Sequence, residues 1–203
     1  MSEEMNERST SRLETVLAVL LGLAAIITAF AAYNASLKDG DTIKAYNQGI
    51  RSINDANAFY SEAVAQVTRD EGVFLEYAKL SQEEGTTEIA KYIYEALMDE
   101  NLQGAVDEWQ ESDDLATPID AESYVVPAQA EAEKLEGQTE ARFAEAQSLD
   151  DSGDRYELAG VIGAVSLFFL GIAGVFRSAR MKVTAAAIGA VVLLVAGLMT
   201  ASA

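Results

Sequence analysis

Three long apolar runs, separated by polar chain, dominate the pattern of this 203-residue sequence. The runs are Thr15–Ala32, Leu158–Phe176 and Val183–Ala203, and none of them contains Asp, Glu, Lys or Arg. A helix rises about 1.5 Å per residue, so about 20 apolar residues cross a hydrocarbon core of about 30 Å. The pattern therefore predicts an all-α integral membrane protein with three transmembrane helices.

The polar stretches between these runs complete the predicted domain organisation. In chain order we assign a cytoplasmic tail (1–14), transmembrane helix 1 (15–33), an acidic helical extracytoplasmic domain (34–157), transmembrane helix 2 (158–176), a basic cytoplasmic turn (177–182) and transmembrane helix 3 (183–203). The alternative for the first run is a signal peptide cleaved after Ala29-Phe30-Ala31. A net negative tail and an apolar run longer than a usual signal core argue against cleavage.

The extracytoplasmic domain carries a seven-residue repeat of apolar positions, which is typical of a packed helix. Its a positions are Ile43, Ile50, Asn57, Val64, Glu71 and Ala78, and its d positions are Tyr46, Ile53, Tyr60, Val67 and Phe74. Asn57 is the kind of polar a residue that fixes register or oligomer state. The repeat leaves open whether the partner helix belongs to the same chain or to another copy.

Turn-forming residues divide the domain into three predicted helices that form an antiparallel helical bundle or coiled coil. We expect kinks or breaks at 38–41 and 150–154, a helix end near Gly85, and a second helix from Thr86 or Thr87 to about Gln110. An irregular connector follows from Glu111 to Pro127, and the third helix starts at Ala128.

Charge sets the predicted orientation. Residues 34–157 hold 29 acidic and nine basic residues, while the chain after Glu157 holds three bases, Arg177, Arg180 and Lys182. These bases lie in one short loop, where positive charge marks the cytoplasmic side. We therefore expect a cell-membrane protein with a cytoplasmic N-terminus and an extracytoplasmic C-terminus, and with Tyr33 and Tyr156 at headgroup level.

Several kinds of chemistry are disfavoured by composition. The chain has no Cys and no His, which removes thiolate nucleophiles and the commonest general base. Spans without charged residues argue against an ion-coupled carrier. No basic patch suits nucleic acid. Asp150, Ser152 and Asp154 alternate as in a calcium loop, but Val161 stands where the loop needs Glu, so a solvated acidic surface is preferred. We predict no enzyme activity, metal or cofactor.

Small residues recur at four-residue spacing in the spans and allow helices to approach closely. The glycines of these pairs are Gly22, Gly160, Gly189 and Gly197. This spacing is compatible with packing of the three spans within one chain or with oligomerisation through the small-residue faces of the spans.

The layout resembles a bacterial family of three-span membrane proteins of unknown function. The matching segments are Arg12-Leu13-Glu14 leading into the first span, and Tyr156–Gly160 continuing through the basic turn into the last span. The resemblance implies no activity. We therefore predict a membrane-anchored helical scaffold or a small subunit of a membrane complex, self-associating or bound to another membrane protein. The alternatives are an extracytoplasmic sensor or binding module that signals through a partner, and a subunit of an oligomeric channel.

Overall fold

The computed structural model describes the backbone from Ser2 to Ala203 and the side chains from Arg12 onward. The described chain is helical, without β-strands. Its elements are α1 (Ser2–Gln82), α2 (Thr87–Tyr92), a π-helical turn (Ile93–Leu97), α3 (Glu100–Glu111), a 3-10 turn (Pro118–Asp120), α4 (Pro127–Val175) and α5 (Ala179–Ser202). Helices α1, α4 and α5 each contain a window apolar enough to cross a membrane, with mean hydropathies of 2.5, 2.3 and 2.3.

Helix α1 continues through residues 38–41, so the predicted break there is wrong. The space around Gly40 is open, with nothing within 4 Å of where a Cβ would stand. A glycine inside a helix costs only about 1 kcal/mol relative to alanine. Burial of the neighbouring residues Ala35, Thr42 and Ala45 favours continuous helix over a break.

Helix α4 likewise continues through residues 150–154, and the second predicted kink is also wrong. Gly153 lies in a close contact between helices, because a Cβ there would stand 3.2 Å from the Asp39 Oδ1 atom. The missing side chain lets the two helices approach. This glycine therefore reflects packing and not a helix boundary.

The end of α1 falls where the sequence predicts it, since Gly85 adopts a φ of 88° three residues after Gln82. The single helix predicted from Thr87 to Gln110 is wrong, because the chain breaks at Met98 and Asp99. Asp99 has an extended conformation, and its carboxylate accepts a hydrogen bond of 2.9 Å from the Leu102 amide. Asp is a preferred N-cap residue, so it starts α3 afresh.

The chain divides into two compact units. The terminal unit comprises the described residues up to Asn47 together with Arg142–Ala203, and the central unit is Gln48–Ala141.

In the terminal unit, parts of α1, α4 and α5 pack around a core that includes Leu17, Leu170 and Leu193. Gly189 of α5 lies against Leu170 of α4, and the Ser166 hydroxyl donates a 2.8 Å hydrogen bond to the Gly189 carbonyl. Gly160 and Gly163 of α4 lie against α1. These pairings make α4 antiparallel to both α1 and α5.

The core of the central unit is formed by α1, the π-helical turn and α3. Its buried members are Phe74, Ile93, Met98, Leu102 and Val106. Trp109 packs edge-on against Phe74, with ring centroids 5.0 Å apart. The half-buried tryptophan therefore packs against the core of this unit.

The buried face of α1 in the central unit matches the predicted one only in part, because the predicted d residue Phe74 is buried, whereas the predicted a residues Ile50 and Val64 are exposed. Between residues 49 and 70 the buried positions are small or polar, namely Gly49, Ala56, Ala63 and Asp70, and each precedes a predicted a position by one residue. The predicted a residues Ile50 and Val64 are 49% and 65% exposed, and Asn57 is exposed as well. Small residues permit a close helix–helix approach, so contact distance and not side-chain hydrophobicity decides which series is buried.

Candidate functional site

A buried carboxylate organises the polar side chains of the central unit. Asp70 lies on the inner face of α1, and its side chain is 3% exposed. Its Oδ1 atom accepts a hydrogen bond from Arg69 Nε at 2.9 Å, and its Oδ2 atom accepts one from the Tyr124 hydroxyl at 2.8 Å. A buried charge is tolerated only when it is paired and hydrogen-bonded, and Asp70 meets both conditions.

The titration of Tyr124 and Arg69 follows from this arrangement. Burial raises the pKa of the Tyr124 phenol, and the hydrogen bond to the Asp70 carboxylate raises it further. The same carboxylate raises the pKa of Arg69. Both groups therefore keep their protons at neutral pH, and the cluster holds a neutral phenol, a carboxylate and a guanidinium in fixed contact.

A second set of hydrogen bonds ties the connector to α1 and α3 beside this cluster. Asn101 forms a reciprocal pair with Val125, donating to its carbonyl at 3.0 Å and accepting from its amide at 2.8 Å. The same carbonyl accepts a 3.2 Å hydrogen bond from Gln66 Nε2. Because Val125 follows Tyr124 directly, these bonds position the tyrosine over Asp70.

A glutamate of α3 fixes the preceding part of the connector. The two Glu108 oxygens accept hydrogen bonds from the Glu122 and Ser123 amides at 3.1 and 3.0 Å. The Ser123 side chain and these backbone amides hold the pKa of the Glu108 carboxyl below its ordinary value.

A surface cavity of about 570 Å³ opens beside the cluster. Its lining includes Glu62, Gln66, Arg69, Asp99 and Asn101, which supply carboxylates, amides and one guanidinium. Arg69 lies 3.7 Å from an Asp99 oxygen and extends from the buried Asp70 to the cavity wall. Polar groups of both charges therefore converge at this cavity.

The glycines singled out in the sequence occupy different environments in the terminal unit. Gly189 is buried against Leu170. A Cβ added at Gly160 would stand 3.9 Å from the Ala31 Cβ, and one added at Gly197 would stand 3.7 Å from the Ile27 Cδ1, which are ordinary contact distances. Gly22 is exposed, and nothing lies within 4 Å of where its Cβ would stand. Three of the four therefore lie at contacts within the chain, and one does not.

The basic and aromatic residues of the predicted membrane boundaries are also in the terminal unit. Arg177 and Arg180 are exposed, while the Lys182 ammonium lies 3.6 Å from a Glu14 oxygen. Tyr33 is exposed and Tyr156 is half-buried. Asn57 belongs to the central unit and is exposed there.

The sequence reasoning missed Asp70, Arg69 and Tyr124. A carboxylate in series with Gly49, Ala56 and Ala63 is a usable signal of an inward-facing acid, because these four residues repeat every seven positions. Nothing in the sequence indicates that the partner lies 54 residues away. That pairing depends on the path of the connector.

Neither comparison with known proteins nor a search of the described side chains for metal ligands identifies a relative or a metal site. Comparison of the chain with protein-family models, curated proteins and solved structures found no match. Among the described side chains, no group of three or more His, Cys, Asp or Glu residues is placed to hold a metal ion.

Proposed function

We propose that this protein is a non-enzymatic, membrane-anchored helical scaffold that self-associates through the outer face of α1 in the central unit. The observation that carries the proposal is the exposed series Ile50, Asn57 and Val64. These residues repeat every seven positions along one helix, and the neighbouring series of small residues makes the contacts within the chain.

Two copies in one membrane would bring these faces together in register. A twofold axis along the membrane normal makes the two α1 helices parallel, so each residue on the axis meets its own counterpart. Ile50 and Val64 would then form apolar layers, and Asn57 would form the polar layer that specifies two strands in register. Half-buried Ile53 and Tyr60 border the same face and extend it.

The proposed orientation places the basic turn in the cytoplasm and the central unit outside the cell. One contact within the terminal unit supports this orientation. The Lys182 ammonium lies 3.6 Å from a Glu14 oxygen, so the start of the first apolar window lies beside the turn. The contact agrees with a three-span chain in which both lie on the same side, and the three bases of the turn assign that side to the cytoplasm. Membership in the bacterial three-span family stays a prediction.

Cysteine crosslinking of the full chain in its own membrane tests self-association, because the natural sequence has no cysteine. We expect Ile50→Cys, Asn57→Cys and Val64→Cys to give oxidised dimers at high yield. Asp55→Cys is the matched control, since Asp55 is exposed on a flank of the same helix. Equal crosslinking at Asp55, or none at the three a positions, would overturn the proposal.

A binding module in the central unit is the second candidate, and the polar cavity beside Arg69 favours it. Ligand binding there is tested by thermal shift of the full chain with amino acids and small zwitterions. A shift that disappears in Asn101→Ala but persists in Gln110→Ala supports this candidate, because Gln110 lies away from that cavity. No shift with any of these compounds counts against it.

A further inference from the structure

A second cavity lies in the terminal unit, between the last turns of α4 and the first turns of α5. Its volume is about 380 Å³, and its walls are apolar, formed mainly by Phe169, Phe176, Met181 and Ile188. The helices that enclose it each contain a window apolar enough to span a membrane. In a bilayer, a cavity between two such helices would face hydrocarbon chains.

One end of this cavity carries positive charge from the turn. Arg180 is the charged residue of the lining, and Arg177 stands three residues before it in the sequence. Both are exposed, and neither side chain makes an ion pair or hydrogen bond with any side chain described from Arg12 onward. Lys182 differs from them, because it is paired with Glu14.

The remaining polar groups near this end leave room for an anion. The Thr184 hydroxyl donates to the Arg180 carbonyl at 2.9 Å, so it is satisfied internally. Helix α5 begins at Ala179, and the side chain of its N-cap residue Ser178 makes no capping hydrogen bond. The first-turn amides and the helix dipole therefore add to the attraction of the Arg180 guanidinium for negative charge.

We propose that this cavity binds one anionic phospholipid, with an acyl chain between α4 and α5 and the phosphate at Arg180. An apolar cavity with an arginine at one end complements an amphiphile that joins a hydrocarbon chain to a phosphate. Guanidinium groups bind phosphate oxygens in a bidentate manner. Basic sites between membrane helices on the cytoplasmic side select anionic lipid in the same way. The proposal rests on the membrane insertion of the terminal unit, and it is independent of self-association.

Native mass spectrometry of the full chain, released from bilayers of phosphatidylglycerol or of phosphatidylcholine with identical acyl chains, tests this site. We expect one retained phosphatidylglycerol per chain and weaker retention of phosphatidylcholine. Arg180→Gln should weaken retention of phosphatidylglycerol about fivefold, as expected for one basic residue at an anionic surface. Arg155→Gln is the matched control, because it removes one exposed arginine from α4 outside the cavity. It should change retention less than twofold.

A third variant tests the contribution of the apolar cavity to lipid retention separately from that of the arginine charge. Thr184→Phe fills the cavity while both arginines remain, and we expect it to abolish the retained lipid. Added inorganic phosphate should leave retention unchanged, since a free anion cannot fill the apolar part. Equal retention of both lipids, equal effects of Arg180→Gln and Arg155→Gln, or displacement by inorganic phosphate would each overturn the proposal. Copy number is read in the same spectra, so loss of lipid and loss of self-association are distinguished.

Discussion

Replacing Tyr124 with Phe tests whether the buried carboxylate organises the central unit. The substitution removes one hydroxyl and keeps the ring. In the natural protein that hydroxyl donates to Asp70 Oδ2 at 2.8 Å, and the Asp70 side chain is 3% exposed. After the change this oxygen loses its donor at a position that water reaches poorly.

The expected loss follows from the cost of leaving a buried acceptor unsatisfied. A hydrogen bond to a charged group contributes about 1.5–3 kcal/mol, and an unpaired buried polar group costs a similar amount. Arg69 still pairs with the other oxygen, but it is largely exposed and contributes little to compensation. We therefore expect Tyr124→Phe to lower the free energy of unfolding by about 2 kcal/mol, which is about thirtyfold in the unfolding equilibrium.

The fluorescence of Trp109 measures this loss locally. Trp109 is the one tryptophan of the chain, and it packs against Phe74 in the core of the central unit. Urea titration of the full chain in mild detergent, followed by tryptophan emission, reports the unfolding of this unit. The midpoint should fall in Tyr124→Phe while the slope of the transition stays constant.

Tyr92→Phe provides the control, because Tyr92 is 60% exposed. We expect it to lie within about 0.5 kcal/mol of the natural protein, as exposed substitutions usually do. The double variant Asp70→Ala with Tyr124→Phe should show coupling of more than about 1 kcal/mol between the two side chains. An unchanged midpoint in Tyr124→Phe, or an equal loss in Tyr92→Phe, would refute the role assigned to the cluster.

Three further predictions concern single residues. A hydrogen bond to a carboxylate raises the pKa of Tyr94 from 10.0 to about 12. The stability that this hydrogen bond contributes is therefore complete below pH 10 and lost as the pH rises towards 12. The ultraviolet absorbance of phenolate, compared with that of Tyr94→Phe, measures the pKa that sets this range. Gly85→Ala should destabilise the central unit by about 1–2 kcal/mol because its φ is 88°, whereas Gly72→Ala should stabilise it slightly, both measured by tryptophan emission. Gly189→Ala should cost about 1–3 kcal/mol in thermal unfolding of the full chain, because its Cβ would stand 2.7 Å from a leucine Cγ. Gly174→Ala, with nothing within 4 Å, should not.

The ends of the helices could be read from the sequence where the signal is local. Gly85 ends α1 because a left-handed conformation suits glycine, and Pro127 begins α4 because proline fits the first turn. The start of α3 had a signal that was overlooked, since Asp99 followed by Glu100 is a usual N-terminal pair. Gly40 and Gly153 gave a misleading signal, because a glycine inside a helix marks a break or a close contact equally well.

The candidate site could be predicted only in part. The inward acid Asp70 has a recognisable spacing along α1, but Tyr124 and Asn101 come from segments whose position depends on the connector. The regular spacing of residues along a helix does not predict which residue of an irregular segment will contact that helix. Side chains that meet across such distances are brought together by the packing of the whole unit.

The sequence by itself determined the all-helical class, the three apolar helices and the segregation of charge, because each depends on composition within one stretch of chain. The tertiary structure decided which face of each helix is buried. In α1 of the central unit the contact runs along Gly49, Ala56 and Ala63, and the more hydrophobic Ile50 and Val64 remain outside. Two helix backbones approach most closely where side chains are smallest, and the larger apolar residues beside that contact are left exposed.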